Sequence, residues 1–114
     1  MTSLNNSIME FGEYIRSLRE KHNLLLREMA ANLNMDVAYL SKIERGIRIA
    51  RREQVVAFAK TLKEDENELI KLWMSEQIVL MLKNEKERTE ILKIAEEKIS
   101  KIDELSLLNI DVTF

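Results

Sequence analysis

Apolar residues recur along this chain at intervals of three and four, the period of a buried helix face. Phe11, Ile15 and Leu18 form the first stripe, which follows a candidate cap at Ser7 and fades near Asn23. A shorter stripe of Leu26, Met29, Ala30 and Leu33 ends at Asn34-Met35-Asp36. That triplet reads as a turn. Asparagine tolerates the left-handed conformation that closes a helix, and aspartate accepts hydrogen bonds from the free N–H groups that open the next. A third helix is expected from about Val37, with Leu40 and Ile43 inward and Gly46 as its left-handed exit. A fourth runs from about Arg52 to Leu62 on Val55, Val56, Ala59 and Leu62.

Asp65 and Glu68 then stand at capping-box spacing. They open a longer helix through Leu69, Ile70 and Trp73 into the apolar run Ile78-Val79-Leu80-Met81-Leu82. A helix apolar on every side needs cover on several sides, as where one subunit packs on another. After a polar break at Lys83 to Arg88, a last stripe of Ile91, Ile94, Ala95, Ile99, Ile102 and Leu105 lies opposite Glu96, Glu97 and Lys101. Leu108, Ile110, Val112 and Phe114 alternate with Asn109, Asp111 and Thr113, which is a strand period. Two readings stay open for this tail, a frayed terminus or a strand paired with a symmetry mate or another chain. Proline is absent and glycine occurs only as Gly12 and Gly46, so the fold class expected is all-α.

Composition narrows the function. The 114 residues, 46% hydrophobic and 33% charged, suit one modest core. No run approaches the roughly 18 apolar residues of a membrane span, and the N-terminus lacks a basic segment followed by an apolar stretch, so no membrane role and no export are expected. There is no cysteine, hence no disulfide framework, thiolate metal site or cysteine nucleophile, and the cytoplasm is the expected compartment. The net charge of −2 conceals a division: residues 11–63 carry +5, residues 64–114 carry −6, and the first ten residues carry −1. A basic front and acidic back orient a protein on a polyanion.

The segments Phe11-Gly12-Glu13-Tyr14-Ile15-Arg16-Ser17-Leu18-Arg19-Glu20, Met29-Ala30-Ala31-Asn32-Leu33 and Tyr39-Leu40-Ser41-Lys42-Ile43-Glu44-Arg45-Gly46 resemble the phage-repressor, XRE-type helix-turn-helix family over roughly residues 11–73. The resemblance implies a five-helix DNA-binding domain, here residues 8–74; residues 75–114 lie outside it and, from their apolar run and stripe, are expected to form a C-terminal helical extension that serves dimerisation, ending in a short tail. It implies that helices 2 and 3 form the helix-turn-helix, with helix 3 in the major groove of double-stranded DNA and the start of helix 2 against the backbone. Base edges would then face Val37, Ala38 and Tyr39, with Ser41 or Lys42 one turn later. Val37 and Ala38 offer only apolar contact, suited to a thymine methyl, which leaves hydrogen-bond readout to Tyr39 and Lys42. Helix 2 opens with Leu25-Leu26 where the family commonly has a Ser/Thr-Gln pair, so Arg27 is the expected substitute. The same resemblance pairs Arg19 of helix 1 with Glu44 at the end of helix 3 as a structural ion pair.

The residues support that placement independently. Lys42, Arg45, Arg48, Arg51 and Arg52 face one acid, Glu44, within residues 42–52. Cations such as Arg51 and Arg52 at a helix start oppose the macrodipole, a cost of about 0.3–1 kcal/mol each, which nearby phosphates would offset. Trp73, Ile78, Leu80, Met81, Ile91, Ile94, Ile99 and Ile102 are the expected homodimer contact. An enzyme is not expected: His22 is the sole histidine, no glycine-rich phosphate loop is present, and Glu96 and Glu97 point in different directions on a helix. No metal or other cofactor is implied, since the six methionines suit the core and the dimer contact. The reading is a homodimeric transcriptional regulator on an inverted repeat, a repressor or a restriction-modification controller. The alternative is an antitoxin-like protein-interaction module that uses the C-terminal extension and binds DNA mainly within a complex.

Overall fold

The computed structural model describes residues 10–109 and residue 111. Among them the chain forms six helices and no strand: α1 Phe11–Lys21, α2 Leu26–Asn32, α3 Val37–Glu44, α4 Arg52–Leu62, α5 Glu66–Leu82 and α6 Arg88–Leu107. The proposed cap Ser7 lies outside the described residues. At the start of α1, Glu10 occupies the cap position without a side-chain bond. The Phe11 N–H instead donates to Glu76 Oε1 of α5 at 2.8 Å, so a residue far along the chain caps this helix.

Four helix ends share one device. Asn23, Asn34, Gly46 and Lys63 all adopt positive φ, at 57°, 52°, 76° and 56°. After each, the next N–H reaches back to a carbonyl of the last turn: Leu24 to Arg19, Met35 to Ala30, Ile47 to Lys42 and Glu64 to Ala59, at 3.1, 2.8, 2.8 and 2.9 Å. This six-to-one closure satisfies carbonyls that a helix end leaves orphaned. Asn34 and Gly46 match the sequence expectation. Lys63 does not signal itself, because its side chain gives it no left-handed preference. Asp36 caps α3 as expected, and at the start of α5 Asp65 Oδ1 accepts from Glu68 N at 3.0 Å. Glu68 itself is engaged by Lys71 at 2.9 Å, so this capping box is only half formed.

The core is built by α1 to α5, with Phe58, Ile15, Met29, Leu40, Ile43 and Leu62 fully buried. Against it α3 is fixed by two contacts with α1. A Cβ added to Gly12 would collide with Ile43 O and lie 2.8 Å from Glu44 O, so the two backbones meet where only glycine fits. Two turns further along α1, Arg19 Nε donates to Glu44 Oε2 at 2.7 Å and Arg19 Nη2 to Glu44 Oε1 at 3.0 Å. The remaining Arg19 nitrogen, Nη1, donates to Leu24 O at 2.8 Å. The hydrogen bonds to Glu44 raise the guanidinium pKa further above its ordinary range and keep it charged despite burial. The ion pair expected from resemblance is therefore present, bidentate and buried.

The chain divides into two compact units between Ile78 and Val79, inside α5. In the first, Trp73, expected at a subunit contact, also meets its own domain. It is half-buried against its own core, and its Nε1–H donates to Ala50 O at 2.8 Å. In the second unit α6 has no buried residue. Ile78, Leu80, Met81, Ile91, Ile94 and Ile99 are all exposed, Ile102 is half-buried, and Leu82 is buried. No helix among the described residues is long and apolar enough to cross a membrane. Of the alternating tail, Leu108 caps α6 and Asn109 leaves it at a φ of 61°, which is helix closure rather than strand; Ile110, Val112, Thr113 and Phe114 lie outside the described residues.

Candidate nucleic-acid interface

The turn between α2 and α3 is closed at both sides. Asn34 N donates to Ala31 O at 3.1 Å to finish α2. Asp36 Oδ1 then accepts from Ala38 N at 2.7 Å and Tyr39 N at 3.1 Å to begin α3. Because both ends are hydrogen-bonded locally, the exposed start of α3 is held rigidly relative to α2. Val37 and Ala38 lie open there, Ser41 and Lys42 are half-buried one turn on, and Arg27 is exposed on α2.

Tyr39 is not free in the way the sequence suggests. It is half-buried against the core, and its hydroxyl donates toward Gln54 Oε1 at 3.4 Å. The same oxygen accepts from Arg51 N at 2.8 Å, so Gln54 ties α3 to the first turn of α4. Tyr39 is thus a positioning contact as well as a candidate reader. Arg45 also folds back, its Nε lying 3.2 Å from Ser41 Oγ and 3.3 Å from Ser41 O. That bond occupies part of both side chains expected to meet DNA.

Around this helix the basic cluster is real and solvent-facing. Arg45, Arg48, Arg51 and Arg52 are all exposed. Arg51 occupies the N-cap position of α4 and Arg52 its first turn, where they oppose the helix dipole. Arg51 Nε pairs with Glu53 Oε1 at 3.2 Å on an open surface, a contact that water screens and phosphate can replace. The loop from Gly46 to Arg51 adds exposed Ile47 and Ile49 on either side of Arg48. Trp73 supports that loop from beneath through Ala50, a contact no local pattern announces.

At the start of α2 the geometry departs from the expectation. Leu25 is the cap residue and its side chain can accept nothing, so Glu28 Oε1 receives the Leu25 N–H at 2.8 Å. A carboxylate therefore sits where this helix would grip phosphate. The spacing Leu25 to Glu28, like Arg51 to Gln54, is that of the acidic or amide half of a capping box and was readable from sequence.

These features define an all-α domain in which a short, rigidly set helix is offered to solvent beside a cationic loop, the arrangement of a helix-turn-helix. A family model described as "Helix-turn-helix domain" matches residues 10–72, more than half the chain, and the chain belongs to this family. The resemblance to XRE-type regulators is borne out. Among solved structures, the chain is similar to the clp gene regulator ClgR from Corynebacterium glutamicum, at 22% identity over 84% of this chain and 88% of that one, with a TM-score of 0.51. It also matches a SinR protein/SinI protein complex at 19% identity over 80% and 97% of the two chains, with a TM-score of 0.49. At such identities the first likeness speaks for the fold. No curated protein matches the chain.

Proposed function

We propose that this protein is a sequence-specific double-stranded DNA-binding transcriptional regulator. It acts in the cytoplasm, without a cofactor or catalytic activity, as a homodimer on an inverted-repeat operator. The observation that carries the reading is that Arg48, Arg51 and Arg52 are all exposed between the end of α3 and the first turn of α4, which Gln54 ties to Tyr39 near the open start of α3. Five helices bury the core while these cations and Val37 stay in water. In the homodimer, two copies of α3 enter successive major grooves about 34 Å apart. Phosphate contacts by the arginines set position, Val37 and Ala38 contribute apolar contact, and Lys42 contributes a hydrogen bond to a base edge. Controlling a restriction-modification system or repressing a phage operon are the roles such a small regulator suits.

Selection from a random duplex pool at about 0.15 M salt, where purely electrostatic binding is suppressed, tests the reading. Enrichment of an inverted repeat with half-sites one turn apart is expected. Absence of enrichment would overturn it in favour of a second reading, a protein-interaction module of the antitoxin kind. The exposed run Ile78, Val79, Leu80 and Met81 favours that second reading as a partner surface.

A further inference from the structure

We infer that α6 pairs antiparallel with the same helix of a second copy, about a two-fold axis passing beside Lys98. This rests on the homodimer reading and adds to it a register and a direction. The helix spans Arg88–Leu107 without burying a residue, and Ile91 and Ile94 on its stripe and Ile99 on its flank are 39%, 49% and 57% exposed.

The stripe is symmetric as well as apolar. Ile91 and Leu105 stand equally far on either side of Lys98, and Ile94 and Ile102 do so one turn closer. At 3.6 residues per turn all four return to within about 40° of the Lys98 direction. A copy reversed end for end about Lys98 therefore sets Ile91 against the partner subunit's Leu105 and Ile94 against the partner subunit's Ile102, twice over.

Direction follows from the flanks. One flank carries Glu97 and Lys101, while the other carries Leu92, Ala95 and Ile99. In a two-fold antiparallel pair each flank meets its own kind, so apolar covers apolar and Lys101 lies beside the partner subunit's Glu97. In a parallel pair the charged flank of one helix faces the apolar flank of the other, which leaves charges against Leu92 and Ile99. Among the described residues Lys101 holds the exposed Glu104 at 3.5 Å and can exchange it. Lys98 itself lays its stem along the stripe and sends its ammonium to water; one such polar position lowers stability while fixing register.

The chain contains no cysteine, so single introduced thiols report the register in the whole 114-residue chain. Under mild oxidation Lys98→Cys should form an intermolecular disulfide. Ile91→Cys alone should not, because its two copies lie about 21 Å apart along the helix at 1.5 Å rise per residue. Ile91→Cys chains mixed with Leu105→Cys chains should cross-link to each other. Sedimentation of the unmodified protein is measured alongside. A dimer in which Ile91→Cys links to itself would overturn the direction. A dimer with neither the Lys98→Cys link nor the mixed link would overturn the register and leave the homodimer standing. A monomer would overturn both. As an independent check, Glu97→Lys should weaken dimerisation several-fold and Glu97→Lys with Lys101→Glu should restore it; failure of the double reversal to restore it would also count against the pairing.

Discussion

Arg19 on α1 and Glu44 on α3 bind each other through two parallel hydrogen bonds of 2.7 and 3.0 Å, with side-chain exposures of only 10% and 4%. The pair ties the last turn of α3 to α1 inside the core, so it fixes the helix proposed above to meet DNA. Removing one partner strands a charge in the core. Glu44→Ala is expected to cost about 3–5 kcal/mol, whereas replacing both residues by apolar ones of similar size should cost much less. Denaturant unfolding of the single and double variants checks this, and a Glu44→Ala protein as stable as wild type would refute the structural role.

Gly12 permits the same two helices to touch backbone to backbone. Gly12→Ala must push its methyl into Ile43 O and Glu44 O, which are main-chain atoms that cannot rotate aside. A loss of about 1–3 kcal/mol is expected from overpacking, against the gain that alanine gives in an ordinary helix. A higher melting temperature for Gly12→Ala would show that α1 and α3 separate more freely than this geometry allows.

Lys63 closes α4 at a φ of 56°, a conformation that costs an L-residue with a Cβ about 1–2 kcal/mol. Lys63→Gly should relieve most of that while adding some unfolded-state entropy. The expected net stabilisation is roughly 0.5–1 kcal/mol. Thermal melts read it directly, and a destabilised variant would contradict it.

Glu28 accepts the Leu25 N–H at the start of α2, close to where a DNA backbone would lie. Glu28→Gln keeps an acceptor and removes the charge. It is expected to raise affinity for every duplex a few-fold at low salt, with little change in stability, because a like-charged group no longer faces phosphate. Unchanged affinity would mean that α2 does not approach the backbone.

Arg51→Ala and Arg52→Ala should weaken binding to all sequences alike and flatten the log–log salt dependence by about 0.9 for each phosphate that is no longer neutralised. Val37→Ala should alter preference among sequences while leaving that slope in place. Titrations on several duplexes at a series of salt concentrations separate the two. Uniform weakening by Val37→Ala would remove it from the base-reading set.

Much of the fold was legible because helices are specified by near neighbours. The α4 span follows from its apolar period, and the Asn34 and Asp36 turn and the Gly46 exit follow from residues within four positions of the backbone groups they serve, whereas the Lys63 closure does not announce itself. The basic cluster was legible for the same reason, being nearly continuous in sequence. The Arg19–Glu44 pair came only through resemblance to a family, since nothing local joins residues 25 positions apart.

What tertiary structure alone decided are contacts whose partners lie on different helices. Trp73 turned inward to Ala50, Glu76 capped α1 across the domain, and Tyr39 was tethered through Gln54 rather than left free. Periodicity states which face of a helix is apolar but not which neighbour covers it, so it does not tell that Trp73 meets Ala50 of its own domain. The sequence by itself determined six helices, the turn at Asn34 to Asp36, the Gly46 exit and a cationic front, because hydrophobic spacing, capping and charge act over one or two turns. The choice between inward and outward for Trp73, Tyr39 and Glu76 depended on the packing of whole helices, where burial and hydrogen-bond satisfaction are settled together.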